Sequence, residues 1–311
     1  MISLADVRAA YKVISKVAIR TPLLPLKFFD RPETYVKCEN LQRAGAFKFR
    51  GAYNLIATLP PRVRAKGVVA YSSGNHAQGV ALAAKMMGIP ACIVMLNQSV
   101  PHKIAGTKAF GAEVILGGDS SEKIKKRAED EAAAREATLV PPFNHPKIMA
   151  GQGTVGLEIL EQCPGVKSVI VQIGGGGLSS GIATAIKESK KGVKVFGVEP
   201  EGAAKMYESV KKGELVTLPG TNTIADGLKP VRAGELTFEA VRKYIDGLFL
   251  VSDEEIMSAA RHLVLQEKLV VEPSGAAALA AVMSGKVKLP KGPAVAILSG
   301  GNADLKFVLG L

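Results

Sequence analysis

No apolar run in this sequence approaches the roughly 20 residues that a bilayer-spanning helix needs. The first residues, MISLADVRAAYKVISK, read as an amphipathic helix without the apolar core and small-residue cleavage site of a signal peptide. These absences point to a soluble, cytoplasmic protein with no membrane partner. Cysteine is scarce: Cys38, Cys92 and Cys163 are odd in number, far apart and outside any CxxC pair. Neither a disulfide framework nor a thiolate metal site is indicated, and buried free thiols are expected. There is no internal repeat, low-complexity tract or long flexible linker. Acidic residues are outnumbered 28 to 40 by lysine and arginine, giving a net charge of +12. That excess is spread over many helices, and its one dense run, EKIKKRAEDE from Glu122 to Glu131, alternates with acids at helical spacing like a solvated face. A nucleic-acid reader would concentrate its charge and interleave aromatics, so no nucleic-acid partner is expected; a basic protein still attracts small anions.

What is present is a 47% hydrophobic composition over 311 residues, enough for a sizeable core in one large or two moderate domains. Apolar runs alternate with amphipathic helices, the pattern of α/β layers around largely parallel sheets. The spacing predicts strands at Gly67–Tyr71, Ala91–Met95, Ala112–Leu116, Ser168–Ile173, Lys194–Val198 and Pro293–Ser299. Helices are predicted at Ala77–Met87, Pro101–Phe110, Ser121–Glu136, Gln152–Gln162, Leu178–Lys187, Asp253–Glu267 and Pro273–Met283. The Pro-rich LVPPFNHP, Leu139 to Pro146, is the strongest break and separates a central β/α block from a longer carboxyl-terminal α/β region.

The stretch KCENLQRAGAFKFRGA, Lys37 to Ala52, carries the first chemical signal. TYVKCE reads as a strand with Thr34, Val36 and Cys38 on one face, Gly45 and Ala46 permit close backbone approach, and helix follows from Phe47. Lys48 therefore sits at a helix amino terminus beside a ligand-sized space, where a lysine can be a covalent handle. The run SVIVQIGGGGLSSG, a strand followed by Gly174, Gly175, Gly176 and Gly177 and then a helix, reads as an anion cradle for a phosphate. A dinucleotide site is the rival, supported by Glu199 at the end of the next strand, but the third fingerprint glycine is replaced by Ser179 or Ser180. Lys48 and Asn75 favour an aldehyde cofactor, since hydride transfer has no need of a lysine in a tight pocket. SSGNHAQG, Ser72 to Gly79, opens another helix as a second anion-binding turn, although a cap is the commoner role of such residues. Ser299, after the strand VAIL, lies where open α/β sheets bind ligands, where a hydroxyl can face a heteroaromatic nitrogen or simply form a turn after a core strand; Glu272, Pro273 and Ser274 are open in the same way between a site and the start of a small-residue helix.

Taken in order, RTPL (Arg20–Leu23), AFKFRGA, SSGNHAQG, AGQGT (Ala150–Thr154), GGGGL, GVEPE, IADG (Ile224–Gly227), EPSGA and SGGN carry a resemblance. The chain resembles the fold-type II, tryptophan-synthase-like pyridoxal phosphate enzymes, and within them the serine/threonine dehydratase group that includes serine racemase. The match runs nearly end to end. It implies an α/β, two-domain fold of three-layer αβα domains with largely parallel sheets: a large domain of residues 1–54 and 145–311, and a small mobile domain of residues 55–144. The cofactor, pyridoxal 5'-phosphate, would lie in the cleft between them, and a homodimer or homotetramer is expected.

By the same resemblance Lys48 carries the cofactor as a Schiff base and acts as the catalytic base. Gly174, Gly175, Gly176, Gly177 and Leu178 take the phosphate. Asn75 bonds the ring oxygen, Phe47 packs near the ring, and Ser299 faces the pyridine nitrogen. Ser72, Ser73, Asn75 and His76 frame the substrate carboxylate, and Ser73 is the acid–base group of the opposite face. The implied reaction is α,β-elimination of a small hydroxy amino acid, L-threonine and L-serine, to a 2-oxo acid and ammonia. Serine racemase is the alternative, and a non-catalytic nucleotide- or nucleic-acid-binding protein stands further off. Ala44 and Ala46 replace the Thr and Ser common in relatives, which bears on turnover and specificity. The sequence ends at Leu311, directly after SGGN, so no regulatory domain and no feedback inhibition are expected. No metal is expected either. Racemase-type relatives bind a divalent cation through an acid at the position of Glu199, the carbonyl of Ala203 and an acid at the position occupied here by Lys205. An ammonium supplies no ligand. Lys205 either fills the place of the ion and pairs with Glu199, or points to solvent.

Overall fold

The computed structural model describes residues 1–27, 29, 31 and 33–310, and Leu311, the expected end of the large domain, lies outside them. Strands are β1 Leu23–Pro25, β2 Thr34–Cys38, β3 Val68–Tyr71, β4 Ala91–Met95, β5 Glu113–Leu116, β6 Thr138–Leu139, β7 Ser168–Gln172, β8 Lys194–Pro200, β9 Gly247–Val251 and β10 Ala294–Leu298. Helices are α1 Leu4–Ile14, α2 Lys48–Ala57, α3 Pro61–Ala65, α4 Asn75–Met86, α5 Pro101–Ala109, α6 Ser121–Ala134, α7 Pro146–Gln162, α8 Gly177–Ser189, α9 Lys205–Lys212, α10 Glu235–Tyr244, α11 Asp253–His262, α12 Pro273–Met283 and α13 Leu305–Leu309.

Among the described residues these strands form two sheets, one ordered β1-β2-β10-β7-β8-β9 and one ordered β5-β4-β3-β6. The second lies within residues 68–139, and the first is built from chain on either side of it. Apart from the antiparallel β1–β2 pair, neighbouring strands are parallel. The central β7 and β10, SVIVQ and AVAIL, are buried along their whole length, as continuous apolar runs between two helical layers must be. A division after Asn54 would cut α2, because Phe49, Ala52, Leu55 and Ile56 of that helix pack in the core of the four-stranded sheet. Helix α2 therefore joins the two halves.

Two predicted helices differ. Helix α7 begins at Pro146 rather than Gln152, because proline is well placed in a first turn and His145 caps it by accepting the Lys147 N–H. Its glycines suit a close helix packing: a Cβ on Gly153 would meet the Gly181 carbonyl of α8 at 2.7 Å, and one on Gly151 the Arg50 carbonyl of α2 at 2.6 Å. The predicted helix 253–267 is α-helical only to His262, after which residues 263–267 widen into a π turn closed by left-handed Lys268 (φ 62°). Short strands β1 and β6, strand β9 and helices α3, α9, α10 and α13 lie outside the expected elements; β9 is a half-buried edge strand without a clear alternation.

Below α2 lies a buried charge network. Arg50 binds Glu39 (2.7 Å) and Glu158 (2.7 Å), Lys37 binds Glu158 (2.6 Å), and Thr21 donates to Glu39 (2.6 Å). Two cations face two anions, so the cluster is neutral, and removing one member would strand a buried charge at a cost of about 3–5 kcal/mol. The network fixes α2 to β2 and α7, two residues from Lys48.

Candidate active site

Lys48 is the first residue of α2, and its Nζ donates to the Pro142 carbonyl at 2.6 Å. Burial pulls its pKa down to about 8, and no carboxylate is close enough to oppose this. The Phe47 ring lies 5.2 Å from the amine. The Phe47 N–H donates to the Ser299 carbonyl at 3.1 Å, which ties the start of α2 to the end of β10.

The glycine run turns the end of β7 into the start of α8. Gly176 has φ 94° and caps α8, whose 13 residues start at Gly177. A Cβ on Gly174 would meet the Gly227 carbonyl at 2.7 Å and one on Gly176 would meet Thr237 at 2.7 Å, so only glycine fits there; the first N–H groups of α8, as in any helix, have no partner within the helix. Leu178 sends its side chain into the core with Ile182 and Val171, leaving only its main chain for an anion. Phe143 packs against Gly175 and Gly177, and its neighbour Pro142 receives the Lys48 amine. The segment 142–143 thus brings lysine and cradle together.

In SSGNHAQG, Ser72 Oγ accepts the Gly74 N–H (3.2 Å), and Ser73 Oγ accepts the Leu96 N–H (2.9 Å) and lies 2.7 Å from Ser99 Oγ. Asn75 begins α4 and spans to the other sheet: its Nδ2 donates to Glu272 Oε1 (2.5 Å), and its Oδ1 accepts from Asn302 Nδ2 (2.8 Å). His76, expected among the residues that frame the substrate carboxylate, has its ring turned into the core. Its ring is buried and bonded to the Val140 carbonyl at 2.9 Å, and burial, with the Lys48 charge, depresses its pKa to about 3. Only its main-chain N–H, in the first turn of α4, remains for a carboxylate.

Ser299 is buried, and its Oγ accepts from Gln172 Nε2 at 2.7 Å. Sequence reasoning missed Gln172, although a polar residue closing the otherwise apolar β7 was a signal. It gave no role to Gln152 either, inside AGQGT; both amide atoms of Gln152 are buried without a protein partner, and its Oε1 would lie 2.5 Å from a Cβ on Gly177.

Lys205 is buried and pairs with Glu199 at 2.8 Å. Its Nζ also donates to the carbonyls of Ile173 (3.0 Å), Ala203 (3.1 Å) and Leu228 (3.1 Å). Glu199 accepts the N–H groups of Met206 (3.1 Å) and Tyr207 (2.7 Å). Burial pushes both groups toward neutrality, raising the acid and lowering the amine. Four oxygens around one nitrogen need the three protons of an ammonium, so we describe the pair as ionised. Of the two placements open from sequence, the structure has the buried one. Among the described residues no cluster of His, Cys, Asp and Glu suited to a metal is found.

Comparison with known proteins fits this geometry. Residues 14–300 match the family described as pyridoxal-phosphate dependent enzyme, and the chain belongs to it. The L-threonine ammonia-lyase of Thermotoga maritima is 45% identical over 99% of this chain and 77% of that protein. Maize serine racemase superimposes with a TM-score of 0.95 at 39% identity, covering 99% of this chain and 96% of that one. A threonine deaminase from T.th. does so with a TM-score of 0.92 at 40% identity, covering 97% of this chain and 99% of that one.

The residues present fit the family's cofactor. A lysine amine with a lowered pKa, a helix amino terminus of glycines so closely packed that no Cβ fits, and an orphaned Gln152 amide beside it suit an aldehyde-bearing phosphate ester.

Proposed function

We propose that this chain is a pyridoxal phosphate-dependent threonine ammonia-lyase, releasing ammonia and a 2-oxo acid from L-threonine and from L-serine. The observation that carries the reading is the joining of Lys48 to the glycine cradle through Pro142 and Phe143, in a chain 45% identical to a threonine ammonia-lyase. Lys48 would hold the cofactor, and the amino terminus of α8 its phosphate. When bound, pyridoxal phosphate supplies the electron sink that makes the substrate Cα proton removable. With a pKa near 8, the Lys48 amine is able to take that proton close to neutrality, and the Pro142 carbonyl orients it. Ser72, Ser73, Asn75 and the first N–H groups of α4 would receive the substrate carboxylate.

Serine racemase is the second reading, favoured by the anchored Ser73 hydroxyl and the likeness to the maize enzyme. We also propose that residues 55–144 move as a small domain to close the cleft; the placement of one whole sheet within that segment supports this. A homodimer or homotetramer has the exposed apolar Leu265, Val270, Leu305 and Phe307 in its favour, and a cytoplasmic location the three free cysteines. Among the described residues no helix is long and apolar enough to cross a membrane.

One assay tests the core of this reading. Protein loaded with pyridoxal phosphate is given L-threonine or L-serine, with 2-oxo acid release and D-serine formation followed together. Borohydride treatment and peptide mass analysis should place the cofactor on Lys48. A colourless protein, or 2-oxo acid release undiminished in Lys48→Ala, would refute the assignment.

A further inference from the structure

Gln172 and Ser299 stand at the carboxyl ends of the adjacent parallel strands β7 and β10, 127 residues apart in sequence. Gln172 is buried, and the orientation of its amide is set by what surrounds it. One N–H of Nε2 is shared by the adjacent carbonyls of Ser274 (3.1 Å) and Gly275 (3.2 Å), which can only accept, leaving the other free to donate, while Oε1 has no partner. The same Nε2 lies 2.7 Å from Ser299 Oγ. An amide nitrogen has no lone pair to offer, so the serine hydroxyl is the acceptor in that bond. Its single proton must go elsewhere, and among the described residues no acceptor takes it. The backbone of Ser299 is held as well, by the Phe47 N–H on its carbonyl.

We propose that Gln172 is a positioning residue that makes Ser299 a committed hydrogen-bond donor, so that the site selects a heteroaromatic ring nitrogen in its unprotonated form. The inference rests on the functional reading above and on the role that the family resemblance gives Ser299, facing the pyridine nitrogen of pyridoxal phosphate. A protonated ring nitrogen would set two donors against each other. A lone pair there receives the proton that Gln172 has forced outward. Without Gln172 the hydroxyl can rotate, and Ser299 serves as donor or acceptor alike.

The experiment uses the holoenzyme loaded with pyridoxal phosphate labelled with ¹⁵N in the ring, together with cofactor dissociation constants. In the wild type the nitrogen shift should be that of an unprotonated, hydrogen-bonded pyridine. In Gln172→Met the shift should move away from the hydrogen-bonded value, and cofactor affinity should fall roughly three- to tenfold, the range of one lost hydrogen bond. That loss should vanish when Gln172→Met is made in a Ser299→Ala background, since Gln172 would then have nothing to orient. Should Gln172→Met not fold, Gln172→Asn, whose amide is drawn back by one methylene, carries the same comparison. A pyridinium shift in the wild type overturns the proposal, as does an affinity loss of equal size in both backgrounds. A wild-type protein that takes up no pyridoxal phosphate sinks the functional reading and this proposal together; uptake with the wrong shift sinks only the role of Gln172.

Discussion

Lys205 reaches Glu199 at 2.8 Å with both side chains buried, and its ammonium is ringed by that carboxylate and three main-chain carbonyls. Such an oxygen shell would also suit a hard cation, and here the charge is built into the chain. Two of the carbonyls belong to Ile173, directly before the glycine run, and Leu228, directly after the Gly227 that touches Gly174. Turnover is therefore expected to be independent of divalent metal, with thorough chelation leaving the lyase rate unchanged. Lys205→Met should destabilise the protein by about 3–5 kcal/mol by stranding Glu199, and Lys205→Asp should make activity respond to Mg²⁺ or Ca²⁺. Loss of wild-type activity on chelation, restored by either ion, would contradict this.

Lys48 owes its lowered pKa to burial, and the sign of the consequence follows. Between about 8 and 10.5 the folded protein binds fewer protons at this group than the unfolded chain, so its contribution to stability rises with pH across that window. The free amine accumulates well below the ordinary lysine range. In the cofactor-free protein, labelling of Lys48 by an amine-directed arylating reagent, read by peptide mass analysis, should rise with a midpoint near pH 8. A midpoint at the ordinary lysine value would mean that the pocket does not desolvate the amine.

Glu272 behaves oppositely. Burial raises its pKa to about 7, against the Asn75 hydrogen bond and the nearby Lys103, which lower it, and with Asp226, which raises it. Lys103 and Asp226 themselves pair at 3.2 Å. The folded protein therefore binds more protons at this group between about 4.5 and 7, and stability from it is present below that window and lost as pH rises through 7. Glu272→Gln keeps an acceptor for Asn75 but carries no charge. In cofactor-free protein its melting temperature relative to wild type should climb between about pH 4.5 and 7 and level off above, and a pH-independent difference would refute the assignment.

Much of this fold was legible because buried parallel strands write themselves as uninterrupted apolar runs: Ala91–Met95 was read to the residue, and β7, β8 and β10 within one or two. The start of α7 was not, because Pro146 and the three closely spaced Gly151, Gly153 and Gly156 look like a break until α2 and α8 are seen lying against them. In the candidate site the motifs were visible as local patterns, while the bonds joining them were not. Pro142 meets Lys48 across 94 residues and Gln172 meets Ser299 across 127, distances over which no local periodicity extends. His76 shows why a motif alone does not say which of its atoms act, since a motif carries a main chain as well as a side chain and here the ring belongs to the core.

Ser73 decides between the two proposed activities. Its Oγ is held by the Leu96 N–H at 2.9 Å and lies 2.7 Å from Ser99 Oγ, which is itself 2.7 Å from the Leu96 carbonyl. These bonds fix the hydroxyl beside the amino end of α4, where the substrate carboxylate is proposed to bind. A group that only anchors the carboxylate contributes to both activities equally. A group that delivers a proton to the far face of the substrate matters for inversion and is dispensable for elimination. If Ser73 does the latter, Ser73→Ala should reduce D-serine formation roughly 100-fold or more, the range of a lost acid–base group, while L-threonine deamination falls far less. Ser99→Ala, which loosens the Ser73 hydroxyl without removing it, should move in the same direction by a smaller factor. Parallel measurement of D-serine by chiral chromatography and of 2-oxo acid release checks both variants. Equal losses in the two products would assign Ser73 to holding the carboxylate and leave elimination as the sole chemistry of the site.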